Sequence, residues 1–447
     1  MLSHSAAAYV PPGMTDAQRT EFWASLALRH TAGLGARRWK RLLETYPSPY
    51  AAVLDAAQWK ERCGLPARLA AEFSAERWRT AARQEWDAAR KGGWRVLLWT
   101  DPRYPRRLKE IGDPPLLLYY AGDTALLGNP GVAVVGSRKC SRDGVATTRE
   151  LCRRFSASGV TTISGLARGI DSEAHRAALE SWGSTIAVLG TGPDIVYPPE
   201  NDALHARISE SGLVLSEFAP GTMPEPRNFP MRNRIISALS LGVLVVEATR
   251  RSGSLITAQH ALDQGREVFA VPGSALARTS SGCHELIRQG AKAVFSCDDV
   301  LVEIAPLIGF TARDWKTPEQ VPPPEAVSVR KRGQSAATGR IGEAGGVAED
   351  ETLTAESATP SMHAGFSERV ASGEPNDRGV AGKEVTDNAS ADEKEIYALL
   401  TTQDSLHIDE LCRALGWEAG RVSGALLMLE VLGAVRQLPG MHYCAMQ

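Results

Sequence analysis

Between residues 132 and 295 the chain repeats one pattern, a short apolar run that stops at a glycine or small residue and gives way to a helical stretch. The runs are VAVVG, TTISG, TIAVLG, LVLSE, VLVVEA, EVFAVPG and AVF. A strand with one wet face alternates apolar and polar residues, so runs that are apolar throughout belong to strands covered on both faces. Their alternation with helices makes the fold α/β, a doubly wound and mostly parallel sheet. In such sheets ligands bind beyond the carboxyl ends of the strands, so the loops after the glycines are where function is sought.

The first such loop lies in VAVVGSRKCS, residues 132–141. Gly136 would let backbone approach a ligand, and a helix from about Asp143 would present free N–H groups and the positive end of its dipole. Arg138 would offer a fork for phosphate oxygens, with Ser137 and Lys139 beside it. The anion expected there is a phosphate. SGLARGID, residues 164–171, adds Arg168 between Gly165 and Gly169, with Asp171 as the expected helix cap. NFPMRNRIISALS, residues 228–240, brings Arg232, Asn233 and Arg234 to a helix start. Phe229 beside them is a candidate for stacking on a base, an interaction of about 1–3 kcal/mol. A fourth loop offers Arg250 and Arg251, then the small residues Ser252, Gly253 and Ser254. Several arginine-bearing loops on one sheet edge suit a row of phosphates better than a single nucleotide.

Neither GxGxxG nor GxxxxGK[ST] occurs at these loops, which removes the support for a dinucleotide cofactor or for ATP hydrolysis. No cofactor, metal or catalytic residue is expected. His175 has no partner carboxylate in the pattern and reads as a packing histidine. The seven cysteines are scattered and none is spaced CxxC, so reduced core thiols are expected in place of a zinc site or a disulfide framework.

The 447 residues allow two or three domains. No apolar run has the length of a membrane span, and the first residues lack the pattern of a signal peptide, so a cytoplasmic protein is expected. The overall charge of −2 hides an asymmetry. Residues 1–100 carry 15 basic and 9 acidic side chains, a net +6; residues 101–310 balance; residues 311–388 and 389–447 each carry a net −4. A polyanion should prefer the first two segments. The first hundred residues show helical periodicity broken by the GLG turn at Gly33–Gly35, and they hold seven of the ten tryptophans, which read as core residues on helices. Residues 311–388 are rich in Pro, Gly, Ala, Ser and Glu without a sustained period, the composition of a disordered linker. EKEIYALL, HIDELCRAL and RVSGALLMLEVLGAV then read as three helices before a hairpin with its turn at Pro439–Gly440, a winged-helix pattern.

Taken in order, VGSRKCS, SGLARGIDSEAH, AVLGTGPDIVYPPEN, LVLSEF, FPMRNRIISALS, VVEA, SGSLITA, GREVFAVPGS and LIRQGA resemble the DNA-processing protein A family, also called DprA or Smf, over about residues 97–300. The resemblance implies an extended Rossmann-like domain that binds single-stranded DNA, forms a homodimer and helps load the recombinase RecA in natural transformation. It implies no catalytic activity. Phosphate contacts carry over to Gly136, Ser137 and Arg138, and by position to Arg168, Arg232, Asn233 and Arg234. The N-terminal helices are similar to the sterile-alpha-motif-like domain of many members, and the C-terminal module to their winged helix. The expected layout is therefore a helical domain at 1–96, the DNA-binding domain at 97–310, the linker at 311–388 and the winged helix at 389–447. Phosphate-contact candidates also include Lys139, Gly169, Gly253 and Ser254.

An alternative is a nucleotide-processing hydrolase of the lysine-decarboxylase-like (cytokinin-activating) class. Such enzymes place a carboxylate beside the phosphate-binding helix, whereas SGSLITAQ contains no acid and Glu247 has no second acid close in sequence. The recognition helix of the winged helix, expected at about Glu418–Leu432, carries Glu418 and Glu430 against Arg421 alone. Within a module of net −4 it would repel duplex DNA, which favours a protein-contact or regulatory role.

Overall fold

The computed structural model describes residues 14–180, 184–309, 315, 390–403, 405–432, 434–438 and 441–446. The expected linker, Trp315 apart, and the Pro439–Gly440 turn lie outside the described residues.

Six helices come first: α1 (Asp16–His30), α2 (Ala36–Thr45), α3 (Pro49–Leu54), α4 (Trp59–Cys63), α5 (Ala67–Ser74) and α6 (Arg79–Lys91). Thr15 and Gln18 close a capping box at the start of α1, satisfying N–H groups the helix cannot pair itself. Gly33, at φ +77°, makes the turn toward α2 that a side chain would strain. Phe22, Trp23 and Leu26 of α1 pack on Trp78 and Trp86, while Leu28, Leu42, Trp59 and Leu69 form a second cluster. The Trp59 indole N–H donates to the Ala52 carbonyl at 2.7 Å. These tryptophans are core residues and present no stacking face to solvent.

A nine-stranded sheet follows, with β1 (Arg95–Leu98), β2 (Leu117–Gly122), β3 (Gly131–Val135), β4 (Thr161–Ser164), β5 (Thr185–Leu189), β6 (Leu213–Ser216), β7 (Gly242–Val245), β8 (Glu267–Ala270) and β9 (Lys292–Ala293). Their spatial order is β1-β2-β6-β5-β4-β3-β7-β8-β9. From β6 to β9 every pairing is parallel; β1 and β2 extend the sheet with antiparallel pairings. The two extra strands escape the apolar-run pattern because their sides belong to different cores. Val96, Leu98, Leu117 and Tyr119 pack on the N-terminal helices, and Leu97, Leu118 and Tyr120 on the opposite layer.

The helices of this domain are α7 (Arg106–Glu110), α8 (Arg142–Ala157), α9 (Ile170–Leu179), α10 (Asp202–Ser211), α11 (Asn228–Leu239), α12 (Ser254–Asp263), α13 (Ser281–Arg288) and α14 (Cys297–Ile304). Leu151 and Phe155 of α8 and Ala174 of α9 cover one face, with Val300 of α14; Ile235 of α11 and Ala258 of α12 cover the other. Strand order reverses between β3 and β7, so a crevice opens where the loops after these two strands part.

The C-terminal module comprises α15 (Ala391–Thr401), β10 (Leu406–His407), α16 (Ile408–Leu415), α17 (Ala419–Val431), β11 (Val435–Leu438) and β12 (His442–Ala445). Its three strands pair in the order β10-β12-β11 over a core of Ile396, Leu411, Val422, Leu426 and Tyr443. This is a winged helix. Among the described residues no helix is long and apolar enough to cross a membrane.

Candidate nucleic-acid interface

At the end of β3 the chain turns through Gly136–Ser141 into α8, and the start of that helix already holds an anion. It is the carboxylate of Glu247, from the end of neighbouring β7. One Glu247 oxygen accepts the Ser141 backbone N–H at 2.9 Å and the other accepts the Ser141 hydroxyl, which itself accepts the Gly144 N–H at 3.0 Å. A Cβ on Gly144 would lie 2.7 Å from the Glu247 carboxyl carbon, so the helix start is tightly filled. A negative charge at a helix N-terminus is favourable, and here the protein supplies it. This corrects the expectation of a phosphate on α8. Gly136 also packs tightly, since a Cβ there would meet Ile170 at 2.7 Å, and it lines the cleft beside this corner.

Beside this closed corner lies a cleft of about 900 Å³, lined by Gly136, Ser137, Arg138 and Lys139 on one side and by Ser252, Gly253, Ser254 and Thr257 on the other. Phe229, Asn233, Arg232 and Asp171 complete its wall and floor. Arg138 is exposed, with its guanidinium carbon 5.6 Å from the centre of the Phe229 ring. The ring rests against Gly190, where a Cβ would come within 2.8 Å, and against Tyr197 at 5.5 Å between centroids. Across the cleft α12 begins with Gly253 as its N-cap, and its first N–H groups are already taken, Ser254 by the Ser252 hydroxyl at 3.4 Å, Leu255 by the Ser252 carbonyl at 3.1 Å and Ile256 by the Gly253 carbonyl at 3.2 Å. Thr257, one turn further on, is buried at 1% exposure.

Glycine also interlocks the first two loops. Gly169 has φ +76°, a Cβ there would lie 2.2 Å from the Ser137 carbonyl oxygen, and the Ile170 N–H donates to that oxygen at 3.2 Å. Gly169 is thus a joint behind the cleft, and Arg168 points to an adjoining depression shared with Arg138, Tyr197 and Phe229. There Arg168 pairs with Glu200, a partner the local pattern did not suggest.

Arg232 and Arg234, which sequence reasoning placed together near the phosphates, separate in space. Arg232 is buried in the floor, donating to the Gly165 carbonyl at 2.7 Å and to the Val188 carbonyl. Burial pushes its guanidinium down to about 10, with Asp171 opposing that shift and Arg138 adding to it. Asp171, expected as a cap, instead accepts the Gly165 N–H at 3.2 Å from a fully buried position. Burial raises its carboxyl against the pull of Arg232. Arg234 turns away from the cleft altogether. It pairs with both oxygens of Glu217 at 2.7 and 2.9 Å, and with Asp113 at 3.2 Å. His175 is a buried packing residue bonded through Nδ1 to the Thr185 hydroxyl at 2.8 Å, and burial pushes it down to about 3. Tyr197 and Thr257 were missed by the sequence reading. An aromatic residue in the proline-flanked loop after β5 was the available signal for Tyr197; Thr257 carried none.

Fold and cleft together define an α/β protein with an arginine-flanked crevice at its topological switch point and a C-terminal winged helix. Residues 95–305 match the model for DNA recombination-mediator protein A, and residues 383–441 match that for the DprA winged helix domain. Over 203 residues the chain is 51% identical to the DNA processing protein DprA of Streptococcus pneumoniae, covering 45% of this chain and 72% of that protein. It is 36% identical over 349 residues to the protein Smf of Synechocystis sp., covering 77% and 78%. The X-ray structure of the Streptococcus pneumoniae DprA aligns with a TM-score of 0.54 at 39% identity, over 65% of this chain and 98% of that one. The chain belongs to the DNA recombination-mediator protein A family, the DprA/Smf proteins.

Proposed function

We propose that this protein binds single-stranded DNA without sequence preference in the cleft between β3 and β7, and hands it to RecA during recombination of incoming DNA. The observation that carries the reading is the pairing of exposed Arg138 with the Phe229 ring across the cleft from the Ser252 and Ser254 hydroxyls at the start of α12. A cation and hydroxyl donors suit phosphates, and a ring suits a base, which is the combination that single strands offer. Arg138, Lys139, Gly253 and Ser254 make the phosphate path and Phe229 the stacking platform. Arg232, with Asn233, shapes the floor and adds its field from below, while Arg168 joins once a phosphate displaces Glu200. Arg234 serves as a brace.

The protein holds DNA and performs no chemistry on it. Both Glu247 oxygens are engaged by Ser141, so the carboxylate a nucleotide hydrolase would need as a base is committed to α8. The reading extends to a RecA contact, a homodimer that keeps two strands close and a cytoplasmic setting. The test is a mobility-shift series with single-stranded and duplex DNA across salt concentrations. Single strands should bind more tightly, and Arg138→Ala should weaken all sequences alike and lower the salt slope by about 0.7. Equal affinity for both forms would sink the reading. For the RecA step, strand exchange on DNA precoated with single-strand-binding protein should be stimulated by the wild type and not by a folded Arg138→Ala protein.

A further inference from the structure

The third helix of a winged helix is the element that enters a DNA groove when such modules read duplex. Here α17 divides its faces differently. Val422, Leu426 and Leu429 point into the module's own core, and Gly424 and Met428, four residues apart on the other side, face α1, with Gly420 bordering an open crevice. Met428 is 1% exposed and belongs to the cluster of Phe22, Trp23 and Trp78. Glycine leaves room along this seam: a Cβ on Gly424 would stand 3.8 Å from the Thr20 hydroxyl, an ordinary contact, and one on Gly420 would meet no atom within 4 Å.

Charge follows the same seam. Arg19 on α1 lies 3.1 Å from its neighbour Asp16 and 3.4 Å from Glu393 of α15, whose side chain is 1% exposed. Arg79, at the start of α6, pairs with Glu76 and reaches Glu430 of α17 at 3.5 Å. Each arginine is thus shared between an acid of its own domain and one from the C-terminal module. The two modules are also opposite in net charge, +6 for residues 1–100 and −4 for residues 389–447. Beside the ion pairs the seam leaves a crevice of about 290 Å³ lined by Thr20, Tyr50, Asp392 and Gly424, and Met428 seats against Phe22, Trp23 and Trp78 next to it.

We propose that α17 is a docking helix and that the winged helix is a clamp on the chain's own N-terminal helices, held by Met428 and two interdomain ion pairs and opened by salt or a competing polyanion. Its acidity, unsuited to a DNA groove, is what the basic N-terminal face requires. The weak element is the Arg79–Glu430 pair, at 27% and 14% exposed the more open to screening as ionic strength rises, while Arg19–Glu393, at 12% and 1%, is the more protected. Opening would also uncover Trp23 and Trp78, which gives the change an optical signature. The inference does not depend on where single-stranded DNA binds, because none of these residues lines the β3–β7 cleft.

The test uses the full chain carrying Thr20→Cys and Gly424→Cys. Under mild oxidation at low salt an intrachain disulfide should form readily. Adding Arg19→Glu and Arg79→Glu, or raising salt from about 0.05 to about 0.5 M, should slow its formation at least fivefold. Pairing Arg79→Glu with Glu430→Arg should recover most of the rate lost to Arg79→Glu alone. As a measurement without new cysteines, Glu430→Arg alone should red-shift the tryptophan emission. A disulfide that fails to form within one folded chain, a rate indifferent to charge and salt, or an unshifted emission spectrum would overturn the clamp.

Discussion

The helices α8 and α12 start side by side, each just after one of two neighbouring parallel strands, and their N-termini have opposite fates. α8 begins under Ser141 and the Glu247 carboxylate. α12 begins at Gly253 with no side-chain cap, on the wall of an open cleft. A helix start after a glycine-rich loop is an anion site in both cases. The difference is who supplies the anion, and that depends on one acidic residue reaching across from the next strand. A carboxylate fixes the Arg138 loop at one start; at the other the short Ser252–Ser254 turn takes the N–H groups and leaves its hydroxyls on the cleft wall.

The comparison is broken most sharply by emptying α8. Glu247→Ala removes the acceptor of two Ser141 donors and the negative charge at the helix start, and should destabilise the fold by about 1.5–3 kcal/mol. Denaturant unfolding would measure this; a change below about 0.5 kcal/mol would mean that the carboxylate is not what holds α8. Filling α12 is the converse experiment. Gly253 has φ −63°, and a Cβ added there would meet no atom within 4 Å, so Gly253→Asp fits without strain. It should cost single-stranded DNA about tenfold in affinity, or about 1.4 kcal/mol, while leaving stability unchanged or slightly raised. Undiminished binding by a folded Gly253→Asp protein would remove α12 from the phosphate path.

At neutral pH the smallest expected effect concerns His175, on the buried face of α9 and away from both helix starts. Its folded value is depressed to about 3 from an ordinary 6.5, so it stays neutral in the native protein while the unfolded chain takes up a proton. Its contribution is fully present above about pH 6.5 and is lost as pH falls toward 3. The stability of His175→Gln should therefore fall less steeply between pH 6.5 and 4.5 than that of the wild type, by up to one proton's worth of slope. Identical slopes in denaturant titrations would show that the histidine is not protected from protonation.

Much of the site was legible as a neighbourhood and not as a set of contacts. Arg138, Lys139, Phe229, Gly253 and Ser254 do line one cleft, because loops that follow adjacent parallel strands must emerge on the same edge. Arg232 and Arg234 show the limit. Two residues apart on a helix they point about 200° from each other, so both could never face one ligand. The pattern of apolar strands could not reveal β1 and β2 either, since their two sides serve two different cores.

The sequence by itself determined the parallel sheet, the core role of the N-terminal tryptophans and the three-helix winged module, because each follows from a local period of apolar residues that must be buried. Tertiary structure alone decided that Glu247 answers Ser141 across 106 positions, that Arg232 lies under the cleft while Arg234 pairs with Glu217, and that α17 turns a glycine face to α1. Charges and hydrogen bonds act between whatever groups the packed layers bring within a few ångströms, and sequence distance does not record that proximity.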